Sequence, residues 1–211
     1  MNYTKCFVLL YNDTSKPKMN KKYFITSILL FALIAAGNVA KGQNSALKTN
    51  LAYWGTATPN VGIEFKAGNR NSIEFAGGFN PFVFSGNRKF KHWLMQQEYR
   101  WWFCETYNKH YVGFHTHFGQ YNVGGWDIPV GRLTTFKDNR YEGYLYGAGL
   151  SYGYQWVLNT RWSLEFNVGA GYARLDYDEF HKDSNGAPSA SDFYDYWGVT
   201  KAGLSFVYFI K

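Results

Sequence analysis

The chain has 211 residues, which is enough for one domain of ordinary size. Aromatic residues make up 21% of it and glycines number 22, yet the mean hydropathy is −0.37. Residues 43–211 hold 16 Lys and Arg against 14 Asp and Glu, a net charge of +2, which excludes the basic footprint of a nucleic-acid-binding protein. Cys104 is the one cysteine of that part, which excludes an internal disulfide or a Cys-based metal site there.

The N-terminus has the pattern of a secretory signal peptide. A basic pair, Lys21-Lys22, precedes an uncharged apolar stretch from Tyr23 to Ala36. Ala40 and Gly42 then supply small residues at positions −3 and −1 of a cleavage site. The pattern predicts a secreted chain whose leader is cleaved near Gly42/Gln43.

This interpretation divides the chain into an N-terminal extension with its signal peptide, residues 1–42, and one domain, residues 43–211. The true start is predicted at Met19, because the residues before it add nothing signal-like. An uncleaved anchor is the alternative, since residues 23–40 are free of charge over a length near the lower limit for a spanning helix. The Gly-Asn-Val break after Ala36 favours cleavage.

Side chains after the leader alternate with a period of two, which is the period of a β-strand. The alternation predicts eight strands, at residues 47–54, 61–67, 73–79, 92–103, 112–119, 142–157, 162–172 and 197–211. The fourth strand has one irregularity on its apolar face, where Gln97 stands between Met95 and Tyr99.

The sixth and seventh strands show the pattern most clearly. Their apolar faces carry Tyr144, Tyr146, Ala148, Leu150, Tyr152, Tyr154 and Trp156, then Trp162, Leu164, Phe166, Val168, Ala170 and Tyr172. The opposite faces are small or polar except at Leu145, and aromatic rings end each apolar face. Lipid-facing and lumen-facing residues alternate in this way in a transmembrane β-hairpin.

The connections fit the same fold. Those after the second, fourth and sixth strands are short, while residues 80–89, 121–140 and 176–195 form longer ones. Outer-membrane barrels have an even number of strands, short periplasmic turns and longer outside loops. We therefore predict an all-β fold: an eight-stranded antiparallel up-and-down transmembrane β-barrel in the outer membrane, with both termini periplasmic.

The predicted inward faces carry a balanced set of charges. Four cations and four carboxylates fall there, together with three other polar side chains: Lys48, Lys66, Arg100, Lys201, Glu64, Glu74, Glu98, Glu165, Gln96, His115 and His117. Eight strands leave an interior just wide enough for side chains, and buried charges need partners. The set predicts a packed polar plug, with a cost of about 3–5 kcal/mol for replacing Glu98 alone.

Two resemblances extend this interpretation. Lys201, Gly203, Phe206 and Tyr208 have the spacing of a C-terminal signal that the outer-membrane assembly machinery reads, although the chain ends in Lys211. Several stretches resemble an uncharacterised family of Bacteroidetes outer-membrane β-barrel proteins: Leu47-Lys48-Thr49-Asn50-Leu51, Gly78-Phe79-Asn80-Pro81-Phe82 and Tyr99-Arg100-Trp101-Trp102-Phe103-Cys104. That resemblance implies a small barrel of unknown function, in some members encoded beside fimbrial genes.

Three kinds of chemistry are alternatives to a purely structural lumen. His92, His115 and His117 can be drawn as a metal site. A nucleophile with a base can be drawn from His117 with Ser151, or from the loop residues Ser184, Ser189, Ser191, His181 and Asp183. A Ca²⁺ site with oxygen ligands can be drawn from Asp176, Asp178, Glu179, Asp183, Asp192 and Asp195, without EF-hand spacing.

The favoured interpretations are lumen filling for the histidines, ordinary loop composition for the Ser, His and Asp set, and a solvated outer loop for the acidic set, with no catalytic, cofactor or metal residue. We predict a non-enzymatic barrel in contact with outer-membrane lipid and the assembly machinery, but not with nucleic acid. Exposed apolar groups in the outside loops 121–140 and 174–195 indicate a contact surface, or equally girdle residues at the outer headgroup level. The family resemblance implies a surface or fimbrial protein as the partner of these loops. A lipid-modifying enzyme is the alternative, and a small channel is the third possibility.

Overall fold

The computed structural model describes residues 45–85, 88–126, 139–181 and 188–210. The predictions for the leader lie outside these residues. The elements in chain order are β1 Ser45–Asn50, α1 Leu51–Gly55, β2 Asn60–Lys66, β3 Asn71–Asn80, β4 Val83–Phe84, β5 Arg88–Trp102, β6 Lys109–Gly124, β7 Asn139–Val157, β8 Trp162–His181 and β9 Ala190–Ile210.

The strands form one antiparallel sheet that closes into a ring. Each long strand pairs with the next along the chain, β5 pairs with β3, and β9 returns to pair with β1. The two-residue β4 only doubles back on the start of β5. Eight long strands therefore form the ring, and the predicted up-and-down barrel is confirmed.

The strands are strongly staggered around the ring. The stagger is seen by following register partners from strand to strand around the ring. Starting at Leu47 on β1, this path passes Gln97 on β5 and ends at Trp197 on β9. The direct partner of Leu47 on β9 is Tyr208, eleven residues further along. A stagger of this kind requires the strands to tilt against the barrel axis, typically by 35–45°.

The predicted faces are also confirmed. On β7, Leu150 is 70% exposed and its neighbour Ser151 is buried, and the same alternation runs along the other long strands. The outward face of β8 is apolar from Trp162 to Tyr172. Ten residue steps of about 3.3 Å at that tilt give an apolar band roughly 25 Å tall.

The first predicted strand is too long. Asn50 is the N-cap of α1, and its side chain accepts a hydrogen bond from the Ala52 amide. Trp54 folds back so that its Nε1 donates to Thr49 Oγ1 over 2.8 Å. The alternation of residues 51–54 therefore belongs to one helical turn, because a capping Asn ends the strand.

The long connections are shorter than predicted. β6 continues to Gly124, β8 continues to His181, and β9 begins at Ala190, so most of the predicted 176–195 loop is paired strand. The main-chain ladder continues after the outward residues cease to be apolar at Tyr172. The end of the hydrophobic alternation therefore indicates where the apolar band ends. It does not indicate where the strands end.

The two ends of the barrel differ. The turn end holds the short connections 67–70, 103–108 and 158–161, and the loop end holds the other connections. No helix among the described residues is long and apolar enough to cross a membrane.

Candidate functional site

A cluster of charged side chains fills the middle of the barrel. Six strands contribute to it, and each member is buried: Lys48 of β1, Glu64 of β2, Glu74 of β3, Glu98 and Arg100 of β5, Glu165 of β8 and Lys201 of β9. These seven residues are called the lumen cluster below. The alternation of each strand brings them to the inside, because inward positions recur every second residue.

Arg100 is the centre of the lumen cluster. Its side chain is fully buried, and its Nε donates to Glu98 over 2.5 Å. Its Nη1 donates to Glu64 over 2.9 Å and to Glu165 over 3.0 Å, and its Nη2 pairs with Glu74. One guanidinium therefore contacts all four carboxylates, which its planar fork of five N–H donors permits.

The two lysines complete the network from the neighbouring strands β1 and β9. Lys48 Nζ pairs with Glu64 and Glu165 and lies 3.2 Å from Glu74. Lys201 Nζ donates to Glu98 over 2.9 Å and lies 3.7 Å from Glu74. Lys201 therefore ties β9 directly to β5, and Lys48 ties β1 to β2, β3 and β8.

Neutral groups use the remaining acceptors. Tyr111 donates its hydroxyl to Glu165 over 2.9 Å, and its ring lies 4.4 Å below the Arg100 guanidinium carbon. Ser72 donates to Glu64, and Ser151 donates to Glu98. Asn167 also donates to Glu165, over 3.0 Å. Hydrogen bonding of this completeness is what buried carboxylates require.

The predicted charge balance is wrong at one residue. Lys66 has the inward parity of Glu64, but it lies at the turn end, is only half-buried and forms no ion pair among the described residues. The lumen cluster therefore contains three cations and four carboxylates. The alternation of side chains determines which face of the strand a residue lies on, but not its height along the barrel. An inward charge at the end of a strand can therefore reach water.

The two lumen histidines lie above the cluster on a platform of glycines. Added Cβ atoms at Gly149 and Gly147 would lie 2.8 Å from His115 Cε1 and 2.6 Å from His117 Nε2. The two rings are stacked, with centroids 5.9 Å apart. Glycine is needed at these inward positions of β7, because a Cβ would meet the Tyr172 and Ala170 carbonyls of β8 first and the imidazoles next.

A β-bulge in β9 completes the histidine site. The register shifts between Gly169 and Ala170 of β8, so that Thr200 and Lys201 both point inward. Thr200 Oγ1 lies 2.8 Å from His115 Nε2, and Lys201 enters the lumen cluster. Period-two alternation cannot reveal this step, because a bulge exchanges the two faces of a strand.

The structure does not assemble the three histidines into a metal site. His92 lies apart, with Nδ1 3.2 Å from the Phe90 carbonyl and Nε2 3.5 Å from Thr58 Oγ1. Among the described residues the oxygen atoms of Glu64, Glu74 and Glu165 lie within 4.8 Å of one another. The Lys48 ammonium pairs with all three carboxylates, so a lysine supplies the positive charge there.

The candidate pair of His117 and Ser151 is not brought together either. Ser151 donates to Glu98 instead of His117. In the acidic set, Asp178 accepts from Ser191 over 2.5 Å, and Asp195 accepts from Tyr172 over 2.6 Å. These carboxylates use partners on their own hairpin. Ser184 and Asp183 lie outside the described residues.

The segment around α1 lies beside the lumen above the cluster, where Asn50 and Tyr53 face Lys48 and Lys201. Asn80 Nδ2 donates to the Thr56 carbonyl over 3.0 Å, and this bond ties the segment to the end of β3. Burial raises the pKa of the Tyr53 phenol above its ordinary value. Beneath it lies a cavity of about 30 Å³ whose lining includes Gln96. That volume accommodates about one or two water molecules.

An apolar floor, missed in the sequence, closes the turn end of the lumen. It consists of buried or half-buried side chains that share the inward parity of their strands: Ala46, Trp102, Tyr111, Val207 and Phe209, with Tyr107 from a turn. Trp102 Nε1 donates to Ser72 Oγ over 2.8 Å. Burial, followed by the nearby Glu64 carboxylate, raises the pKa of the Tyr107 phenol.

The residues of the predicted C-terminal signal lie on both faces of β9. Phe206 and Tyr208 point outward, and Lys201 and Gly203 point inward. A Cβ at Gly203 would lie 2.7 Å from Asn50 Nδ2, so the inward glycine leaves room for the side chain that caps α1. The recognition of these residues by assembly machinery stays a prediction.

Comparison with known proteins places the chain in a family without assigning an activity. A family profile described as "Protein of unknown function (DUF3575)" matches residues 27–210. A search of curated proteins found no match. The match spans the closed sheet, the lumen cluster and the apolar floor. The chain therefore belongs to the DUF3575 family of proteins of unknown function.

Proposed function

We propose that this protein is a non-enzymatic outer-membrane β-barrel with a closed lumen, whose loop end contacts a surface protein. The observation that carries the proposal is the apolar outward face of the ring. Leu150 is 70% exposed in the middle of a band that ends in Trp156 on one side and Tyr144 on the other. A continuous belt of this kind is much larger than the apolar patches of water-soluble monomers.

The interior supports a structural role over transport. The lumen cluster and the floor around Trp102 are separate obstructions on the same axis. The cavity between the cluster and α1 is only about 30 Å³. A barrel filled in this way is suited to hold its shape while its loop end carries out the interaction.

The loop end supports a contact role. β7, β8 and β9 continue beyond the apolar band, and Arg174 lies 4.0 Å from the ring of the exposed Phe193. β9 pairs with β8 from Ala190 onward but with β1 only from Ser205. The upper edge of β9 thus has no second strand among the described residues, and an extended partner segment can pair with such an edge. The family resemblance makes a surface or fimbrial subunit the first partner to test.

The variant Leu150→Arg tests the membrane location. In a bilayer, an arginine at the midplane of the lipid face is expected to destabilise the barrel by about 2–4 kcal/mol. In water, the same change at a 70% exposed side chain is expected to lie within about 0.5 kcal/mol. Urea unfolding of the protein in lipid vesicles, followed by the heat-induced shift in gel mobility, measures the difference.

Leu158→Arg is the matched control. Leu158 is 58% exposed, but it lies in the β7–β8 turn beyond the aromatic end of the band. The expected cost there is about 0–1 kcal/mol, because the penalty falls toward the interface. Equal and small costs for both variants would contradict the membrane location.

A shortened β8–β9 hairpin tests the contact role. Asp178 and Ser191 are register partners, so residues 178–191 can be replaced by Asn-Gly without moving the remaining pairs. We expect cross-linked co-purification from native outer membranes to recover a surface subunit with the full chain and to lose it with the shortened chain.

The control for this experiment is the same replacement at the turn end. Exchanging residues 158–161 for a two-residue turn leaves the loop end unchanged and should leave the partner bound. Recovery of the barrel alone from the full-length chain would contradict the contact role and direct attention to lipid chemistry.

A further inference from the structure

One amide lies on the apolar face of the ring. Gln97 is exposed on β5, midway between the outward rings of Trp93 and Trp101. Its Oε1 accepts a hydrogen bond of 2.9 Å from Thr116 Oγ1, its register partner on β6. No acceptor for its Nε2 lies within hydrogen-bond distance among the described residues. The irregularity of the fourth predicted strand is therefore a half-satisfied amide.

This position is costly in a bilayer. If the apolar band spans the membrane, as proposed above, Gln97 lies near the midplane, where acyl chains offer no acceptor for an N–H group. The hydroxyls of Thr49 and Thr116 on the same face both have partners in the chain. The Gln97 amide differs from them because its donor side is open.

A groove lies next to this amide. It measures about 180 Å³ and is lined by Val61, Ile63, Phe75, Gly77, Met95 and Gln97, with almost no other polar surface. Gly77 opens it, because it places no side chain between Phe75 and Met95. A Cβ at Gly77 would have only the Leu94 carbonyl within 4 Å, at 3.9 Å. Packing within the chain therefore does not require a glycine there.

We propose that this face, formed by β2, β3 and β5, binds a second copy of the same chain about a two-fold axis normal to the membrane. A primary amide has both a donor and an acceptor, so two Gln97 side chains can satisfy one another across such an axis. Small residues let membrane-embedded surfaces approach closely, and the Gly77 groove can receive apolar side chains of the partner copy. The inference rests on the proposed membrane location.

Cys104 is the probe for the test. It is exposed in the β5–β6 connection, at the turn end of the strand that carries Gln97. The full-length protein, with Cys6→Ser, is treated in native outer membranes with a bis-maleimide whose flexible spacer spans roughly 30–40 Å, because the tilt of β5 places each Cys104 about 15 Å sideways from Gln97. We expect a covalent dimer at Cys104, and we expect Gln97→Leu to weaken dimerisation about three- to tenfold in a dilution series in vesicles.

Two further variants separate a specific interface from random collision. Gly77→Leu fills the groove and should weaken dimerisation as Gln97→Leu does. Tyr152→Leu alters the outward face of β7, away from the groove, and should leave the Cys104 dimer unchanged. All three should retain the heat-induced gel shift, because none touches the lumen cluster.

The outcomes are distinguishable from failure of the membrane location. If Leu150→Arg does not lower the free energy of unfolding in vesicles, the proposed membrane location is contradicted, and the dimer proposal that rests on it is lost as well. A barrel that inserts normally but is monomeric, or whose Cys104 dimer is unaffected by Gln97→Leu, overturns the dimer alone. A Gln97-dependent cross-link from Cys104 to a different protein overturns the second copy as the occupant of this face.

Discussion

Arg100→Met is expected to lower the free energy of unfolding by about 3–5 kcal/mol or more. This is the cost of removing one partner of a buried ion pair. Arg100 is the group that contacts all four buried carboxylates of the lumen cluster. Its loss leaves two lysines facing four carboxylates at buried positions. Urea unfolding in vesicles, followed by tryptophan fluorescence, gives the free energy.

Glu98→Gln is expected to cost clearly less. Glu98 accepts from Arg100 and Lys201 through one oxygen and from Ser151 through the other, so its replacement affects three contacts. However, the lumen cluster then has three cations and three carboxylates, and a Gln oxygen in place of Oε2 can still accept from both Arg100 and Lys201. The sequence-based cost of about 3–5 kcal/mol assumed a balanced set that included Lys66. Equal costs for the Arg100 and Glu98 variants would contradict the charge count.

Two controls test the geometry behind this difference. Lys66→Gln removes a charge of the same parity outside the cluster, and its effect should lie within about 0.5 kcal/mol. Arg100→Lys keeps the charge but loses the fork that reaches four partners, so it should give an intermediate stability. A large effect of Lys66→Gln would show that this lysine belongs to the buried network.

The faces of the strands were predictable because a period of two leaves few choices. Alternation alone predicted eight inward charges, and seven of them are the buried members of the lumen cluster. Lys66 is only half-buried, since alternation carries no information about height along the barrel. The same period also placed Gln97 outward, although its hydrogen bond to Thr116 depends on the register between β5 and β6, which one strand's sequence does not contain.

The ends of the strands and the bulge were not predictable from alternation. β8 extends beyond Tyr172, and β9 begins before Trp197. The outward residues of these extensions, such as Arg174 and Asp195, lie beyond the edge of the apolar band. Their ladder depends on main-chain groups, which every sequence supplies. At Thr200 the pattern changes by one step, and only the pairing with β8 shows it. Alternation in the sequence thus predicts where side chains contact an apolar surface. It does not predict how far a strand continues when only its main chain is paired.

Trp102→Ala is expected to cost about 3–5 kcal/mol, as for large aromatic truncations in a core. Its side chain is fully buried in the apolar floor, with its ring 4.7 Å from Tyr111 and 6.0 Å from Tyr107 between centroids. Its loss also removes the donor to Ser72, the residue that supports Glu64. The floor and the lumen cluster are therefore coupled through one serine.

The neighbouring residue provides a control one position away. Trp101 is 48% exposed on the outward face, so Trp101→Ala should cost about 1 kcal/mol or less under the same unfolding conditions. Reversed costs would mean that β5 is shifted by one residue, which would also turn Arg100 out of the lumen. Because the cluster obstructs the lumen above the floor, Trp102→Ala should destabilise the barrel without making it conduct in a planar bilayer. Conductance in that variant would show that the floor, and not the charged network around Arg100, closes the barrel.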